Sequence, residues 1–324
     1  VIPRPARTVH APSATELAEA RQIIRATLAP TPLVATTVAG RRLWLKMEGF
    51  QPTGSFKVRG ALAAIDDVLR REPGRAVVAC SAGNHGLGVA WAATLLGVEA
   101  CVVVPKTASP AKISKLKTYP IDLVLAGESF DDAETVALDL AEQRDARFVS
   151  PYNDTHVIAG QSSMAAEVIE QLPEADHLVV AVGGGGLAAG SALALALHPC
   201  RLHGAQVEQN AAFSQAFRGD AVDLGSLEPT IADGIAGGFE PGSVTLALLH
   251  QVDFDLTLVS EAATLDAIRQ VLSDVGVVAE GSAGVAVAAA LSRADEWGGE
   301  VVVAVSGHNI ALPRLAEIVE DQTL

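Results

Sequence analysis

Short runs of β-branched residues alternate with Ala- and Leu-rich segments of helical length along this chain, and that alternation confines the fold more than any other feature. A strand buried on both faces reads as a continuous apolar run, and successive parallel strands need a crossover long enough to hold a helix. The runs RLWLKM (42–47), AVVAC (76–80), ACVVV (100–104), DLVLA (122–126), HLVVAV (177–182), LHGAQV (202–207) and EVVVAV (300–305) read as strands. Helices are predicted near 56–71, 85–97, 129–145, 157–171, 187–198, 261–275 and 283–293. An α/β architecture on mostly parallel sheet follows. Arg218 to Gly242 bears Gly, Pro and Asp with little periodicity, so it reads as a long loop region of the kind that often carries function.

At 324 residues the chain can form two domains, or one large α/β unit with a divided core. With 49% hydrophobic and 19% charged residues it can bury a substantial interior. A formal charge of −15, spread without a basic cluster, argues against a nucleic-acid partner. No apolar run approaches the roughly 18 residues of a membrane span, and VIPRPARTVHAPSATE at the start lacks the apolar centre of a signal peptide. Cys80, Cys101 and Cys200 each lie in or beside an apolar stretch, which suits buried, reduced thiols. A soluble cytoplasmic protein is expected.

Several strands run into small-residue turns followed by helices, and in a parallel sheet such turns gather at the carboxyl edge where ligands bind. In VGGGGLAAG (182–190), four successive glycines let backbone N–H groups approach an anion, and the following helix adds its N-terminal dipole. The run also satisfies close strand–helix packing, which seldom needs so many glycines. A second ligand fits the same residues. Gly183, Gly185 and Ala188 match a dinucleotide fingerprint, with Glu208 about 20 residues on as the ribose acid. The turn CSAGNHGLG (80–88) offers Ser81 and Asn84 as helix caps with free N–H groups for a carboxylate, and SGHNI (306–310) sets the hydroxyl of Ser306 at a strand end.

FQPTGSFKVRGA (50–61) places Lys57 between a Gly-Ser turn and an apolar helix start. A surface lysine with its ammonium in water satisfies that pattern, and so does a lysine in a dry site whose amine is neutral and nucleophilic. The combination favours the second. A buried lysine, a phosphate cup, an Asn-bearing turn and a strand-end serine together match what pyridoxal phosphate requires: a Schiff-base partner, a phosphate site, a donor to the phenolic oxygen and a partner for the ring nitrogen. A nicotinamide enzyme has no use for Lys57 in that setting.

In this order and spacing, FQPTGSFKVRGA, SAGNHGLGVA (81–90), PYNDTHVIAGQ (151–161), VGGGGLAAG, TIADGIA (230–236) and SGHNI resemble the threonine/serine dehydratase and serine racemase branch of the fold type II pyridoxal-phosphate enzymes. The resemblance implies a tryptophan synthase β-like fold of two domains, each with a mostly parallel sheet flanked by helices. A large cofactor-binding domain would comprise 1–75 and 149–324, and a small inserted domain 76–148. It implies that Lys57 is the Schiff-base lysine and the general base, that Phe56 packs near the cofactor, that Asn84 binds its phenolic oxygen, and that Gly183, Gly184, Gly185, Gly186 and Leu187 hold its phosphate. Ser306 would face the pyridine nitrogen, where a hydroxyl leaves the ring nearly neutral and favours prompt loss of a β-substituent. Glu280 would lie near the ring, and Ser81, Ala82, Gly83 and His85 would receive the substrate carboxylate.

The activity so implied is dehydration and deamination of a β-hydroxy amino acid such as L-threonine or L-serine to a 2-oxo acid and ammonia. The branch's racemases resemble its dehydratases but carry a serine at the position of Ala82, and a methyl group relays no proton, so elimination ranks above isomerisation. The divalent-cation motif of the branch is reduced in EQNAAFS (208–214), where Glu208 and Ala212 remain but Ser214 replaces a carboxylate. One carboxylate is thin for Mg²⁺ or Ca²⁺, so no metal ligand set is assigned. His308 stands where dehydratases usually have a small residue, and Gly281 where many have proline. If His308 enters the pocket, a substrate with a second polar group is implied, such as 3-hydroxyaspartate or a hydroxylated catabolic intermediate. The chain ends soon after the catalytic unit, so the resemblance favours a catabolic, unregulated enzyme, expected to associate as a dimer.

Overall fold

The computed structural model describes residues 7–240 and 242–320, so the outermost residues of the expected large domain and of the N-terminal stretch lie outside the described residues. Its strands are β1 (Leu33–Val38), β2 (Arg41–Met47), β3 (Val77–Cys80), β4 (Ala100–Val104), β5 (Asp122–Leu125), β6 (Arg147–Phe148), β7 (Ala175–Ala181), β8 (Arg201–Val207), β9 (Phe254–Val259) and β10 (Glu300–Val305). The first helices are α1 (Ala14–Thr27), α2 (Lys57–Arg71), α3 (Asn84–Leu96), α4 (Pro110–Leu116), α5 (Phe130–Gln143) and α6 (Thr155–Gln171). The chain continues through α7 (Gly186–Leu195), α8 (Ala212–Phe217), α9 (Val244–Leu249), α10 (Glu261–Val275), α11 (Gly281–Arg293) and α12 (Leu312–Glu320). Each strand and helix named above from the sequence is present, with ends that shift by a few residues. Among the described residues between Arg218 and Gly242, the regular structure is two short 3-10 turns, at Leu224–Ser226 and Asp233–Ile235.

Two sheets organise the chain. Six strands lie in the order β1-β2-β10-β7-β8-β9, and four in the order β5-β4-β3-β6. Every pairing is parallel except β1 with β2, which a two-residue hairpin joins. That turn has positive φ at both Ala39 (49°) and Gly40 (76°), the geometry that matches strand twist.

Burial on both faces explains the apolar runs. Val301, Val303 and Val305 of β10 face the layer containing α11, whereas Val302 and Ala304 face the layer containing α6 and α7. In the smaller sheet Val77 and Ala79 pack toward α2 and α3, and Val78 and Cys80 toward α5. Strict alternation thus sends the central strands β10 and β3 into two cores each, with no solvent face to break the pattern.

Glycines let the helices beneath these sheets touch backbone to backbone. A Cβ on Gly60 of α2 would lie 2.9 Å from the Val157 carbonyl oxygen of α6, and one on Gly160 of α6 would overlap the Arg59 carbonyl oxygen. A Cβ on Gly88 of α3 would lie 3.2 Å from the Lys57 carbonyl. The start of α2 is therefore held between α3 and α6.

Candidate active site

Three strand ends feed one cleft: β3 runs into 81–83, β7 into 182–185 and β10 into 306–310. Lys57 enters it as the first residue of α2. No side chain caps this helix, and Phe56 at the N-cap is itself α-helical. The preceding turn is tied instead to the end of β10. Ser55 bridges Gly307, the Phe56 N–H donates to the Ser306 carbonyl at 3.0 Å, and the His308 N–H donates to the Gly54 carbonyl at 3.0 Å.

The Lys57 amine donates to the Pro151 carbonyl at 2.9 Å and sits 5.1 Å from the centre of the Phe56 ring. Loss of water lowers its pKa to about 8, against the upward pull of Glu280. An amine that sheds its proton near neutral pH can act as nucleophile or base.

Asn84 opens α3, and both ends of its amide are engaged. Its Nδ2 donates to Glu280 Oε1 at 2.8 Å, and its Oδ1 accepts from Asn309 Nδ2 at 2.8 Å. One N–H of Nδ2 stays free for a ligand. Glu280, the N-cap residue of α11, also accepts from the Asn309 N–H at 3.0 Å and donates its own N–H to the Gly307 carbonyl. Burial raises its carboxyl to about 7, and the Asn84 hydrogen bond partly offsets this.

The glycine run wraps an aromatic ring. A Cβ on Gly184 would strike the ring of Tyr152, and one on Gly186 would lie 2.6 Å from Gln161 Oε1. Gly185 has φ 83°, a left-handed conformation that precedes the first turn of α7. The amides of Gly186, Leu187 and Ala188 start that helix and have no intrahelical acceptor. The Leu187 side chain is buried in the core. Pro151 and Tyr152 join the run to Lys57, since one accepts from the lysine and the other fills the glycine concavity.

Ser306 is 2% exposed, and its hydroxyl has no hydrogen-bond partner among the described residues. An orphaned buried hydroxyl costs stability unless a ligand satisfies it. Together with the amine of lowered pKa, the oriented amide and the glycine cradle, it offers the groups that pyridoxal phosphate needs. The residues present fit the group.

The loop ahead of α3 is partly engaged internally. Ser81 Oγ accepts from the Gly83 N–H at 3.1 Å, and Ala82 packs against the core beneath α3. The His85 ring turns inward, with Nε2 2.9 Å from the Val149 carbonyl, and burial together with the Lys57 charge lowers its pKa to about 3. Its imidazole is thus neutral and held inside the protein, leaving its backbone to the loop.

Glu208 is exposed at a 3-10 turn, while Ser214 is buried with its N–H on Gln206 and its hydroxyl accepting from Arg218. Among the described residues no cluster of three or more His, Cys, Asp or Glu is placed to hold a metal. His308 is exposed, and its ring covers the backbone at Gly49 and Gly54, where a Cβ would lie 3.1 Å and 2.8 Å from it. Sequence reasoning assigns no role to Pro151, Tyr152, Gln161 or Asn309. Their signal lies in PYNDTHVIAGQ and SGHNI, whose side-chain partners only the fold reveals.

Residues 24–307 match the family model described as pyridoxal-phosphate dependent enzyme. The chain belongs to that family. It is 38% identical over 301 residues to an L-threonine ammonia-lyase of Thermotoga maritima, a match covering 92% of this chain and 75% of the relative. Among solved structures it is similar to maize serine racemase, with 31% identity and a TM-score of 0.87, covering 95% of this chain and 97% of that one. It is also similar to the processed form of a threonine deaminase from Solanum lycopersicum, with 29% identity and a TM-score of 0.84, covering 99% and 97%.

Proposed function

We propose that this chain is an ammonia-lyase that dehydrates and deaminates a β-hydroxy amino acid, L-threonine or L-serine, to a 2-oxo acid and ammonia. The observation that carries the reading is the Lys57 amine, which has a pKa of about 8 and donates to the Pro151 carbonyl beside the glycine run. Relatives named for threonine ammonia-lyase and threonine deaminase activity support the reaction.

Pyridoxal phosphate, when bound, supplies the electron sink for bond breaking at the substrate Cα. Lys57 would hold the cofactor, and its free amine, set beside the Pro151 carbonyl, would take the substrate Cα proton. Asn84 would donate to the cofactor's phenolic oxygen, the amides of Gly183 to Leu187 would receive its phosphate, and the Ser306 hydroxyl, unpartnered among the described residues, would meet its ring nitrogen. Phe56 and Glu280 would line its ring. Ser81, Ala82, Gly83 and the backbone of His85 bind the substrate carboxylate. The departing hydroxyl takes a proton and leaves as water, and one water is taken up when the released imine hydrolyses, so the net products are a 2-oxo acid and ammonia.

The likeness to serine racemase supports isomerisation as a second reading. It is the weaker one, because Ala82 carries no proton and the Ser81 hydroxyl is engaged by Gly83. We also read the two sheets as the cores of two domains, 1–75 with 149–324 and 76–148. Three buried free cysteines support a reducing compartment, and a cytoplasmic homodimer is the working form we assign.

The deciding assay is 2-oxo acid release from L-threonine and L-serine by protein saturated with pyridoxal phosphate, beside Lys57→Ala. Release by the wild type and background values in the variant are expected. Appreciable turnover in Lys57→Ala would sink the role of the lysine. Silence of the wild type with both substrates, with the visible cofactor band present, would overturn the substrate assignment.

A further inference from the structure

Two residues beyond Lys57, Arg59 is fully buried, and its guanidinium uses all five donors. Nε and Nη2 fork onto Glu48 at 2.7 Å and 2.8 Å. Nη1 and Nη2 fork onto Glu167 at 2.6 Å and 2.8 Å, and Nη1 also reaches Ser163 Oγ at 3.1 Å. Lys46, equally buried, donates to Glu167 at 2.7 Å and to Thr31 and Gln171 at 2.8 Å each. Two cations and two carboxylates thus form a dry, electrically neutral knot joining β2, the turn after it, α2 and α6.

Stability alone does not account for such a knot. Buried ion pairs are often matched or surpassed by well-packed apolar residues, and their attested use is to fix one geometry among several. The position of this one is informative. Two residues along a helix is a rotation of about 200°, so Arg59 is anchored on the side of α2 opposite the cleft that Lys57 enters. The helix has no side-chain cap to hold its first turn, and the ties at Ser55 and Phe56 bind only the turn before it. The Arg59 double fork fixes how α2 is rotated about its own axis.

We propose that Arg59 is the positioning residue for Lys57, and that the Glu48–Arg59–Glu167 knot sets where the Lys57 amine lies. The proposal rests on the reading of Lys57 as the cofactor lysine. Arg59→Lys keeps the charge and loses the planar fork. Arg59→Met with Glu48→Gln removes the fork and keeps the remaining Lys46–Glu167 pair neutral. Both are measured as holoenzymes by melting, by steady-state kinetics and by the pH midpoint of the visible cofactor band.

In folded variants kcat is expected to fall about tenfold or more with KM for the amino acid little changed, as a misplaced catalytic group requires. The band midpoint is expected to move by about half a pH unit or more, because the surroundings of the Lys57 nitrogen have changed. Either readout left at its wild-type value in a folded variant overturns the proposal. Loss of folding in both variants also overturns it, since the knot would then serve stability alone. A wild-type protein that shows neither band nor product refutes the reading of Lys57 itself, a distinct result.

Discussion

Glu280 is 7% exposed, and its carboxyl is held up to about 7, chiefly by loss of water. Unfolded, the same group titrates near 4.5. Between those values the folded chain holds a proton that the unfolded chain has released, so this group makes stability fall as pH rises from about 4.5 to 7. Above 7 the loss is complete. Lys57 acts in a different window, with a folded value near 8 against 10.5, so its contribution changes only above pH 8. Glu280→Gln keeps an acceptor for Asn84 and abolishes the titration. Denaturant melts of the cofactor-free variant should therefore vary less between pH 5 and 7 than those of the wild type, and parallel profiles would contradict the assigned burial. Lys57 and the glycine run are legible because residue type and local spacing carry their meaning. The Asn84–Glu280–Asn309 triangle is not, because two of its sides join residues 196 and 225 positions apart. The same limit hides the inward turn of His85, whose partner lies 64 residues away.

Strands with two buried faces announce themselves, and those with one do not. β10 and β4 read directly from their valines, whereas β1 (LVATTV) and β9 (FDLTLV) mix polar and apolar residues at the two sheet edges. β6 is two residues long and too short to carry a pattern. α1 escapes a reading by periodicity although Ser13 and Glu16 form a capping box, a signal that precedes the periodic residues rather than lying among them. Helix crossings are equally hidden, because a glycine in a helical pattern does not reveal what it faces. Gly160→Ala tests one of them. Its new methyl would overlap the Arg59 carbonyl, and overpacking of this kind costs about 1–3 kcal/mol or more when backbone must move. Gly97→Ala is the contrast: with φ 68° and open space around it, it incurs only conformational strain of about 1 kcal/mol. Equal losses of unfolding free energy in the two variants would rule out the close crossing of α2 and α6.

At the scale of the molecule, α4 links the smaller sheet to the loops of the larger one. Lys112 forms an ion pair with Asp233, and Lys115 donates to Asn309 Oδ1 at 3.1 Å. The two lysines lie one turn apart, so one face of α4 clasps both loops. These groups are exposed, and such contacts are worth only about 0–1 kcal/mol each. Lys112→Ala with Lys115→Ala should therefore leave the global unfolding midpoint nearly in place while speeding limited proteolysis between 105 and 120. Added salt should speed cleavage of the wild type in the same direction, by screening the Lys112–Asp233 pair. Cleavage rates unchanged in the variant would mean that the clasp does not restrain α4.

The order of the larger sheet also ties the site to protein synthesis. β10, the last strand along the described chain, lies between β2 and β7, two strands that a ribosome delivers much earlier. A nascent chain halted before residue 300 holds its β1–β2 hairpin apart from the remaining strands, with a gap where the centre of the sheet belongs. It also lacks the backbone to which the turn before Lys57 is tied, and the free hydroxyl of Ser306. The lysine is made in the first fifth of the chain and gains its setting only when the final strand emerges. A chain halted before that strand therefore carries Lys57 without the groups set around it, and on the reading of Lys57 as the cofactor lysine it should fail to retain pyridoxal phosphate.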